Sequence, residues 1–151
     1  MKKIGLFIAC LFLITCIGCM KSDESKVEDL VTNYYQGLKE GNYEASLQLL
    51  GEEYLSFIGM TKREVIDEFE FAEKQGNSVS EIAVVSVKAL DKASLSEEIP
   101  LPLQERITDS EHYLVKVNAT REGGAEFLDY VLLALIDGEW QIRGIASTII
   151  N

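Results

Sequence analysis

The chain has almost none of the residue types that build disulfide or thiolate metal centres. It contains three cysteines, and all of them lie within the first 19 residues. It contains one histidine, His112. The part after residue 19 can therefore form no disulfide, no thiolate metal site and no cysteine nucleophile. A single histidine also excludes a multi-histidine metal cluster. We expect neither a metal nor a cofactor.

Basic residues are scarce as well. The chain has 14 lysines and arginines against 25 aspartates and glutamates, which gives a formal net charge of −11. Nucleic-acid binding needs clustered basic residues that neutralise phosphates, and the sequence has no such cluster. We therefore expect no nucleic-acid partner. Because anionic lipid headgroups repel an acidic surface, contact with a membrane needs a separate anchor.

Long hydrophobic runs are confined to the N-terminus. Lys2 and Lys3 precede an uncharged segment from Ile4 to Ile17. A basic start followed by about 7–15 apolar residues is typical of a secretory signal, whereas a helix that spans a membrane needs about 20. A retained transmembrane anchor is the alternative, but the run is short for it.

The residues at the end of this run favour cleavage. Thr15-Cys16-Ile17-Gly18-Cys19 resembles the lipobox of bacterial lipoproteins, in which a small residue before the cysteine admits the signal peptidase and the cysteine thiol carries diacylglycerol. Gly18 and Cys19 match that pattern, while Cys16 stands where the family usually has leucine. The resemblance implies a signal peptide over residues 1–18 and lipid attachment at Cys19.

The lipobox resemblance also implies a location. About two or three fatty acyl chains, such as palmitate, would hold the protein at the bacterial cell membrane or outer surface, on the extracytoplasmic side, because one chain alone binds only marginally. Residues 19–24 would then be a short lipidated tether. Residues 25–151 remain as one domain, long enough to bury its own core.

The first half of this domain predicts three helices. The first begins at Ser25, which forms an S-x-x-E capping box with Glu28, and ends at Gly41. The second begins after Asn42 and ends at Gly51.

The third predicted helix begins at a second capping box, formed by Thr61 and Glu64. Before it, the segment from Glu52 to Met60 carries apolar residues without a clear period. It is either a packed connection or a short strand.

The second half of the domain predicts four strands, because the apolar period changes from 3.6 to 2. The strands are Ser80–Leu90, His112–Arg121, Ala125–Ile136 and Trp140–Ile150. The connections at residues 122–124 and 137–138 are short enough to permit only antiparallel hairpins. Residues 91–109 contain both prolines, which cannot donate to a sheet ladder, so we expect a long excursion there.

Three helices followed by four antiparallel strands, with a hairpin that reads Asp-Gly-Glu-Trp-Gln-Ile at residues 137–142, resemble the nuclear transport factor 2-like (cystatin-like) fold. The predicted class is α+β, with N-terminal helices packed on a curved antiparallel four-stranded sheet. The resemblance implies a cone-shaped domain with an apolar cavity between helices and sheet. It also implies, in many cases, a homodimer formed through the outer face of the sheet.

The face that each residue takes depends on the first hairpin. If Gly123-Gly124 is a two-residue turn, Val117 pairs with Tyr130, and both His112 and Asp129 fall on the outer face. The core face then consists of apolar and aromatic side chains. These are Tyr113, Val115, Val117, Ala119, Leu128, Tyr130, Leu132 and Ala134.

The last strand depends on the second hairpin. A three-residue bulged loop, Asp137-Gly138-Glu139, puts Trp140, Ile142, Gly144 and Ala146 on the core face. A two-residue turn would instead place Gln141 and Arg143 inside. We expect the bulged loop, because burial of an unpartnered arginine is costly.

Two groups of residues are candidates for binding. A pocket for a small hydrophobic ligand would be lined by Tyr34, Tyr35, Tyr113, Tyr130 and Trp140, unless they only fill the core. An apolar patch on the outer face, which would mark a dimer or partner interface, would consist of Phe127, Val131, Leu133 and Leu135. The alternatives to an exposed patch are coverage by the excursion or a sheet buried on both faces.

Catalysis is not expected from these residues. Enzymes with this fold resemble ketosteroid isomerase or scytalone dehydratase and hold a carboxylate or histidine inside the cone. The predicted core face has neither, and the predicted register holds His112 and Asp129 too far apart for a hydrogen bond. We expect a lipid-anchored cell-envelope protein with a non-enzymatic domain that binds a ligand or a partner. Two alternatives stay open: an isomerase- or dehydratase-type enzyme with a buried acid in the cone, and an accessory subunit of an envelope complex.

Overall fold

The computed structural model describes residues 21–91 and 99–150. Its elements are α1 (Asp23–Lys39), α2 (Tyr43–Gln48), α3 (Glu52–Ile58), α4 (Lys62–Lys74), β1 (Val79–Leu90), α5 (Leu101–Gln104), β2 (His112–Arg121), β3 (Glu126–Ile136) and β4 (Glu139–Ile149). The strands form one antiparallel sheet in the order β1-β2-β3-β4. The predicted α+β class, with N-terminal helices on a curved four-stranded antiparallel sheet, is confirmed.

The N-terminal predictions lie largely outside this part of the chain. The signal peptide and Cys19 both fall outside the described residues. Within residues 21–91 and 99–150, no helix is long and apolar enough to cross a membrane.

Side-chain caps begin two of the described helices, α1 and α4. Ser22, not Ser25, caps α1: the Ser22 hydroxyl accepts from the Ser25 N–H at 3.3 Å, so the capping box predicted at Ser25 is wrong. Gly41, at φ +72°, follows the end of α1 as predicted. The capping box of Thr61 and Glu64 at the start of α4 is confirmed. The ambiguous segment is a helix, α3.

Replacing Thr61 by alanine removes the hydroxyl of this capping box. We expect the free energy of unfolding to fall by about 1 kcal/mol, as measured by urea denaturation. The control is Thr32→Ala, an exposed threonine within α1, which should change stability by less than about 0.5 kcal/mol. Equal effects of the two substitutions would show that the box adds nothing.

Two apolar layers bury the sheet on both faces. The inner layer lies between the helices and the sheet and includes Val27, Val31, Leu47, Val115, Val117, Val131, Leu133 and Ile142. The outer layer lies between the sheet and the excursion and is formed around Ile99, Leu103, Leu114 and Leu132. Four consecutive residues of β3, positions 131–134, have 0% exposure, because they alternate between the two layers. The alternative in which the excursion covers the outer face is confirmed in this region.

The loop between β2 and β3 is closed by Arg121 and Ala125, since the Arg121 N–H donates to the Ala125 carbonyl at 2.9 Å. The loop inside this pair, residues 122–124, has three residues and not two, and Gly124 takes φ +83°, the left-handed position that three-residue hairpin loops require. As a result, Val117 pairs with Asp129 and not with Tyr130. The predicted register is wrong by one residue, and such a slip exchanges the two faces of a strand.

The corrected register reverses the prediction for β3. Tyr130 and Leu132 pack in the outer layer, although we expected them on the core face, and Leu128 and Ala134 lie on the same face of the strand as these two. Val131 and Leu133 are fully buried in the inner layer. The prediction that these last two belong to an exposed interface is therefore wrong.

The turn between β3 and β4 has two residues, not three. Asp137 and Gly138 both have positive φ, +51° and +85°, and Ile136 pairs directly with Glu139. This is the mirror-image turn that Asp-Gly favours. The predicted bulged loop is wrong at this place.

The bulge lies further along β4, at Arg143. This residue is inserted between two consecutive paired positions, which shifts the alternation of the strand. Ile142 is on the core face as predicted, but Gly144 and Ala146 face the outer layer, so that part of the prediction is wrong. Arg143 is buried and forms an ion pair with Glu53 of α3. It therefore has the partner that its burial requires.

The outer edge of β4 is covered by the connection from α2 to α3. The Gly51 N–H donates to the Ile142 carbonyl at 2.9 Å, and the Ile142 N–H donates to the Leu49 carbonyl at 3.1 Å. Gly51 is the N-cap of α3 and not the end stop of α2 that we predicted.

The excursion is attached to the sheet by Arg106. Its Nη1 donates to the Arg143 carbonyl at 2.9 Å, and its guanidinium lies 3.4 Å from the centre of the Phe57 ring. Gly144 lets the excursion approach, because a Cβ there would lie 2.6 Å from Leu103 Cδ2.

Candidate functional site

A cavity of about 280 Å³ lies between the helices and the inner face of the sheet. The wall is mostly apolar and includes Leu38, Leu50, Ile58, Met60, Val65, Phe69 and Ile145. The aromatic and polar groups come from both helices and strands. They are Tyr34 and Tyr35 of α1, Tyr54 of α3, Glu68 of α4, Arg121 of β2, Asp129 of β3 and Ser147 of β4. We call this space the cone cavity.

Asp129 is the buried acid of the cone cavity. It is 3% exposed, and its Oδ2 accepts a hydrogen bond of 2.6 Å from the Tyr35 hydroxyl. Its Oδ1 is buried and accepts no hydrogen bond from the described residues. The corrected register puts this carboxylate inside, because Asp129 pairs with Val117, whose side chain is in the inner layer. The prediction of a core face without an acid is wrong.

Arg121 brings the opposite charge to the same cavity. It ends β2, and its guanidinium carbon lies 5.3 Å from the centre of the Phe127 ring. Its Nε is buried and donates to no described residue. The lining therefore includes a buried acceptor, Asp129 Oδ1, and a buried donor, Arg121 Nε, that have no partner among the described residues. Buried groups of this kind are usually paired.

The environment of the cavity raises the pKa of its tyrosines. Burial raises the pKa of Tyr34 well above its ordinary value. Burial, and after it the negative charge of Asp129, raise the pKa of Tyr35. Burial also raises the pKa of Tyr54, although the positive charge of Arg106 opposes this. All three hydroxyls are thus held in the neutral form, able to donate a hydrogen bond.

These shifts predict a loss of stability in alkali. Because the folded-state pKa values of Tyr34 and Tyr35 lie above the unfolded value of about 10, their contribution is complete below about pH 10. It is lost as the pH rises through the folded-state values. We expect Tyr34 and Tyr35 to ionise only when the fold opens, seen as tyrosinate absorbance that appears together with the loss of circular dichroism.

The same protein in urea is the control for this titration, since all six tyrosines should then ionise together at about pH 10. Ionisation of all six in the native protein at that pH, without a change in circular dichroism, would contradict the burial of these hydroxyls.

The predicted pocket residues are not brought together as a group. Tyr34 and Tyr35 line the cone cavity. Tyr113 and Trp140 pack edge to face, with ring centres 5.2 Å apart, and belong to the inner layer outside the lining. Tyr130 faces the outer layer, where Lys116 Nζ lies 5.5 Å from the centre of its ring.

The two remaining interface candidates, Phe127 and Leu135, are half-buried. Phe127 packs against the Arg121 guanidinium. Whether either residue contacts a partner stays a prediction.

His112 lies on the outer face, as predicted, but it is buried. Its Nδ1 is 2.8 Å from the Ser110 carbonyl. The ring is on the opposite side of the sheet from the cone cavity. Within residues 21–91 and 99–150, no group of three or more acidic, histidine or cysteine side chains is arranged to hold a metal ion.

Asp129, Arg121 and Tyr54 are among the cavity residues that the sequence interpretation does not include. The two-residue turn places Asp129 on the wrong face. The signal that finds it is the Glu-Gly-Gly loop at residues 122–124: read as three residues with the last glycine left-handed, it moves Asp129 from the outer face to the cavity.

Helices packed on a curved four-stranded antiparallel sheet, with a cavity between them, define the nuclear transport factor 2-like fold, and this chain has that fold. No protein-family model matches the chain, and no curated protein sequence matches it.

Solved structures with this fold are similar to the chain. An NTF2-like protein from Cytophaga hutchinsonii has a TM-score of 0.55 and 15% identity, over 86% of this chain and 100% of that one. An NTF-2-like protein of unknown function from Silicibacter pomeroyi has a TM-score of 0.50 and 16% identity, over 82% and 92%.

A third similar structure is a putative Ca/calmodulin-dependent kinase II association domain from Exiguobacterium sibiricum. It has a TM-score of 0.53 and 13% identity, over 89% of this chain and 98% of that one. At these identities the similarity shows the fold alone.

Proposed function

We propose that this protein is a lipid-anchored protein of the bacterial cell envelope whose domain binds a small organic molecule in the cone cavity. One observation carries the binding proposal: two buried polar atoms, Asp129 Oδ1 and Arg121 Nε, have no partner among the described residues, and both residues line a cavity of about 280 Å³. An unpaired buried donor or acceptor costs about 1–3 kcal/mol. A ligand that pairs with one of these atoms removes the cost of that atom.

The rest of the lining suits an organic ligand. Small-molecule sites are concave and mostly apolar, with a few fixed polar groups that orient the ligand. Here Tyr35 fixes the carboxylate of Asp129 through a hydrogen bond of 2.6 Å. The acceptor is therefore already oriented before a ligand arrives, which lowers the entropy lost on binding.

The binding proposal is tested by native mass spectrometry of the full-length protein purified from its host, followed by a small-molecule NMR screen. We expect a retained or screened compound that shifts the resonances of Tyr35 and Asp129. The variant Asp129→Asn should lower the affinity for that compound. The variant Asp137→Asn, in an exposed turn, should leave the affinity unchanged. Equal affinity in both variants would contradict a role for the cone cavity.

The anchor is supported by the sequence Thr15-Cys16-Ile17-Gly18-Cys19. We expect Cys19→Ala to abolish incorporation of a labelled fatty acid and to release the protein from the membrane fraction, because the acyl chains supply the membrane affinity. The matched control is Cys16→Ala, which should still be processed and labelled. Labelling of the Cys19→Ala protein would refute lipidation at this residue.

A second candidate function is an enzyme of the isomerase or dehydratase type, and the buried Asp129 favours it. A general base needs an oxygen free to reach the substrate proton, and Oδ1 is free while Oδ2 accepts from Tyr35. Arg121 Nε is a donor that would stabilise negative charge on a substrate oxygen. The expectation of a non-enzymatic domain depended on a core face without an acid.

The second candidate is tested by the isomerisation of a β,γ-unsaturated cyclic ketone to its conjugated form, followed by ultraviolet absorbance. The enzyme reading predicts that Asp129→Asn slows the reaction by about 10²–10⁴-fold. Identical rates for the native protein, Asp129→Asn and buffer would leave ligand binding as the proposed function.

A further inference from the structure

The polar groups of the cone cavity carry a net negative charge. Two carboxylates line it, Asp129 of β3 and Glu68 of α4, against one guanidinium, that of Arg121. Asp129 is 3% exposed, whereas Glu68 is exposed. The charge that a bound molecule meets in the interior is therefore mainly that of Asp129.

The pKa shifts of Tyr34 and Tyr35 also indicate that negative charge dominates in the cavity. Burial is the largest cause of the raised pKa of both Tyr34 and Tyr35. Among the charges, the carboxylate of Asp129 raises each pKa more than the guanidinium of Arg121 lowers it. The interior next to α1 therefore favours a positive charge over a negative one.

Four aromatic rings line the same cavity as this carboxylate. Tyr34 and Tyr35 meet edge to face, with ring centres 5.1 Å apart and planes at 87°, and Tyr54 and Phe69 complete the aromatic part of the lining. The face of an aromatic ring attracts a cation. Aromatic rings around a buried carboxylate are the arrangement by which proteins hold alkylammonium groups.

We propose that the ligand of the cone cavity is a small organic amine in its ammonium form. Its N–H donates to Asp129 Oδ1, and its apolar body lies against the aliphatic wall. This identification rests on the proposed function, since it names the class of molecule that the same cavity takes. The net charge of −11 draws cations to the protein, and the exposed Glu68 adds a second negative charge to the lining.

Three probes with the same phenyl body separate the possible head groups: 2-phenylethylamine, 2-phenylethanol and 3-phenylpropionate. Affinity is measured by isothermal titration calorimetry with the purified full-length protein at neutral pH. We expect the amine to bind at least about tenfold more tightly than the alcohol, because the ammonium adds a charge–charge attraction to the Asp129 carboxylate that the neutral hydroxyl lacks. The carboxylate should bind most weakly.

Two variants assign the preference to the cavity. Asp129→Asn keeps an oxygen that can accept from Tyr35, and it should reduce the amine to the affinity of the alcohol. Asp137→Asn, in an exposed turn outside the cavity lining, should leave amine binding unchanged. Retention of the amine's advantage over the alcohol in Asp129→Asn would overturn the amine assignment.

The outcomes also separate this inference from the proposed function. Alcohol or carboxylate binding as tight as that of the amine, still dependent on Asp129, overturns the amine but keeps a ligand-binding cavity. Failure of all three probes at millimolar concentration in a folded protein overturns both.

Discussion

Leu133→Ala is expected to destabilise the protein by about 2–5 kcal/mol. Leu133 is 0% exposed and packs in the inner layer between helices and sheet. The substitution removes apolar contacts and leaves a cavity that close-packed neighbours fill only in part. The measurement is the free energy of unfolding from urea denaturation, followed by circular dichroism.

The matched control is Leu101→Ala, because Leu101 is 76% exposed at the start of α5. The same chemical change at that position should shift stability by less than about 0.5 kcal/mol. Had Leu133 faced outward in an interface patch, as alternation from a two-residue turn predicts, the two substitutions would have similar small effects. Similar effects would therefore contradict the register.

Leu103→Asp is expected to detach the excursion from the sheet. Leu103 is 1% exposed and packs on Leu114 and Leu132 in the outer layer. An unpaired carboxylate there loses the apolar contacts and adds a desolvation cost, together at least about 3 kcal/mol. The newly exposed apolar face should bind a hydrophobic dye and promote association in solution.

Leu101→Asp, two residues away on the same short helix, is the control for this effect. Its side chain is exposed, so the charge costs little and the protein should stay folded without dye binding. Dye binding equal in the two variants would mean that Leu103 does not cover the sheet.

The order of the elements is predictable from the sequence, because it depends on local signals. The Thr61 capping box, the left-handed Gly41 and the short hairpin loops each act within a few residues. These signals, with the change of apolar period, are enough for helices followed by an antiparallel sheet. The N-terminus of α1 was missed by three residues because Ser22 and Ser25 are both suitable caps.

The faces of β3 are not predictable from hydrophobicity, because both faces are buried. Residues 131–134 are all apolar and all fully buried, so alternation gives no preference between the two registers. The turn chemistry has to decide, and the two turns were assigned the wrong way round. Gly124 takes the left-handed position of a three-residue loop, and Asp137-Gly138 forms a two-residue turn.

One polar residue on β3 depends on this decision. In the predicted register Asp129 is a surface carboxylate, and the domain has no chemistry inside its cone. In the observed register it accepts from Tyr35 and lines the cavity. A shift of one residue in the pairing of β2 with β3 therefore decides whether the cavity contains this acid. In the observed register one oxygen of Asp129 accepts from Tyr35, and the other has no partner among the described residues.

The bulge at Arg143 is not predictable from the sequence either, because it depends on a tertiary contact. Arg143 is buried, and its charge is paired with Glu53, which is 90 positions away in the chain and belongs to α3. A sequence pattern of period 2 contains no signal for such a partner. The cost of burying an arginine was assessed correctly, but the partner that offsets it was not visible.

The contact between Asp129 and Tyr35 is the central claim, and a double-mutant cycle of Tyr35→Phe and Asp129→Leu tests it most directly. A hydrogen bond to a carboxylate predicts a coupling energy of about 1.5–3 kcal/mol in the free energy of unfolding. The control pair, Tyr35→Phe with Asp137→Leu, should be additive within about 0.5 kcal/mol. Additivity of Tyr35 with Asp129 to the same limit would contradict the position of the acid in the cone cavity.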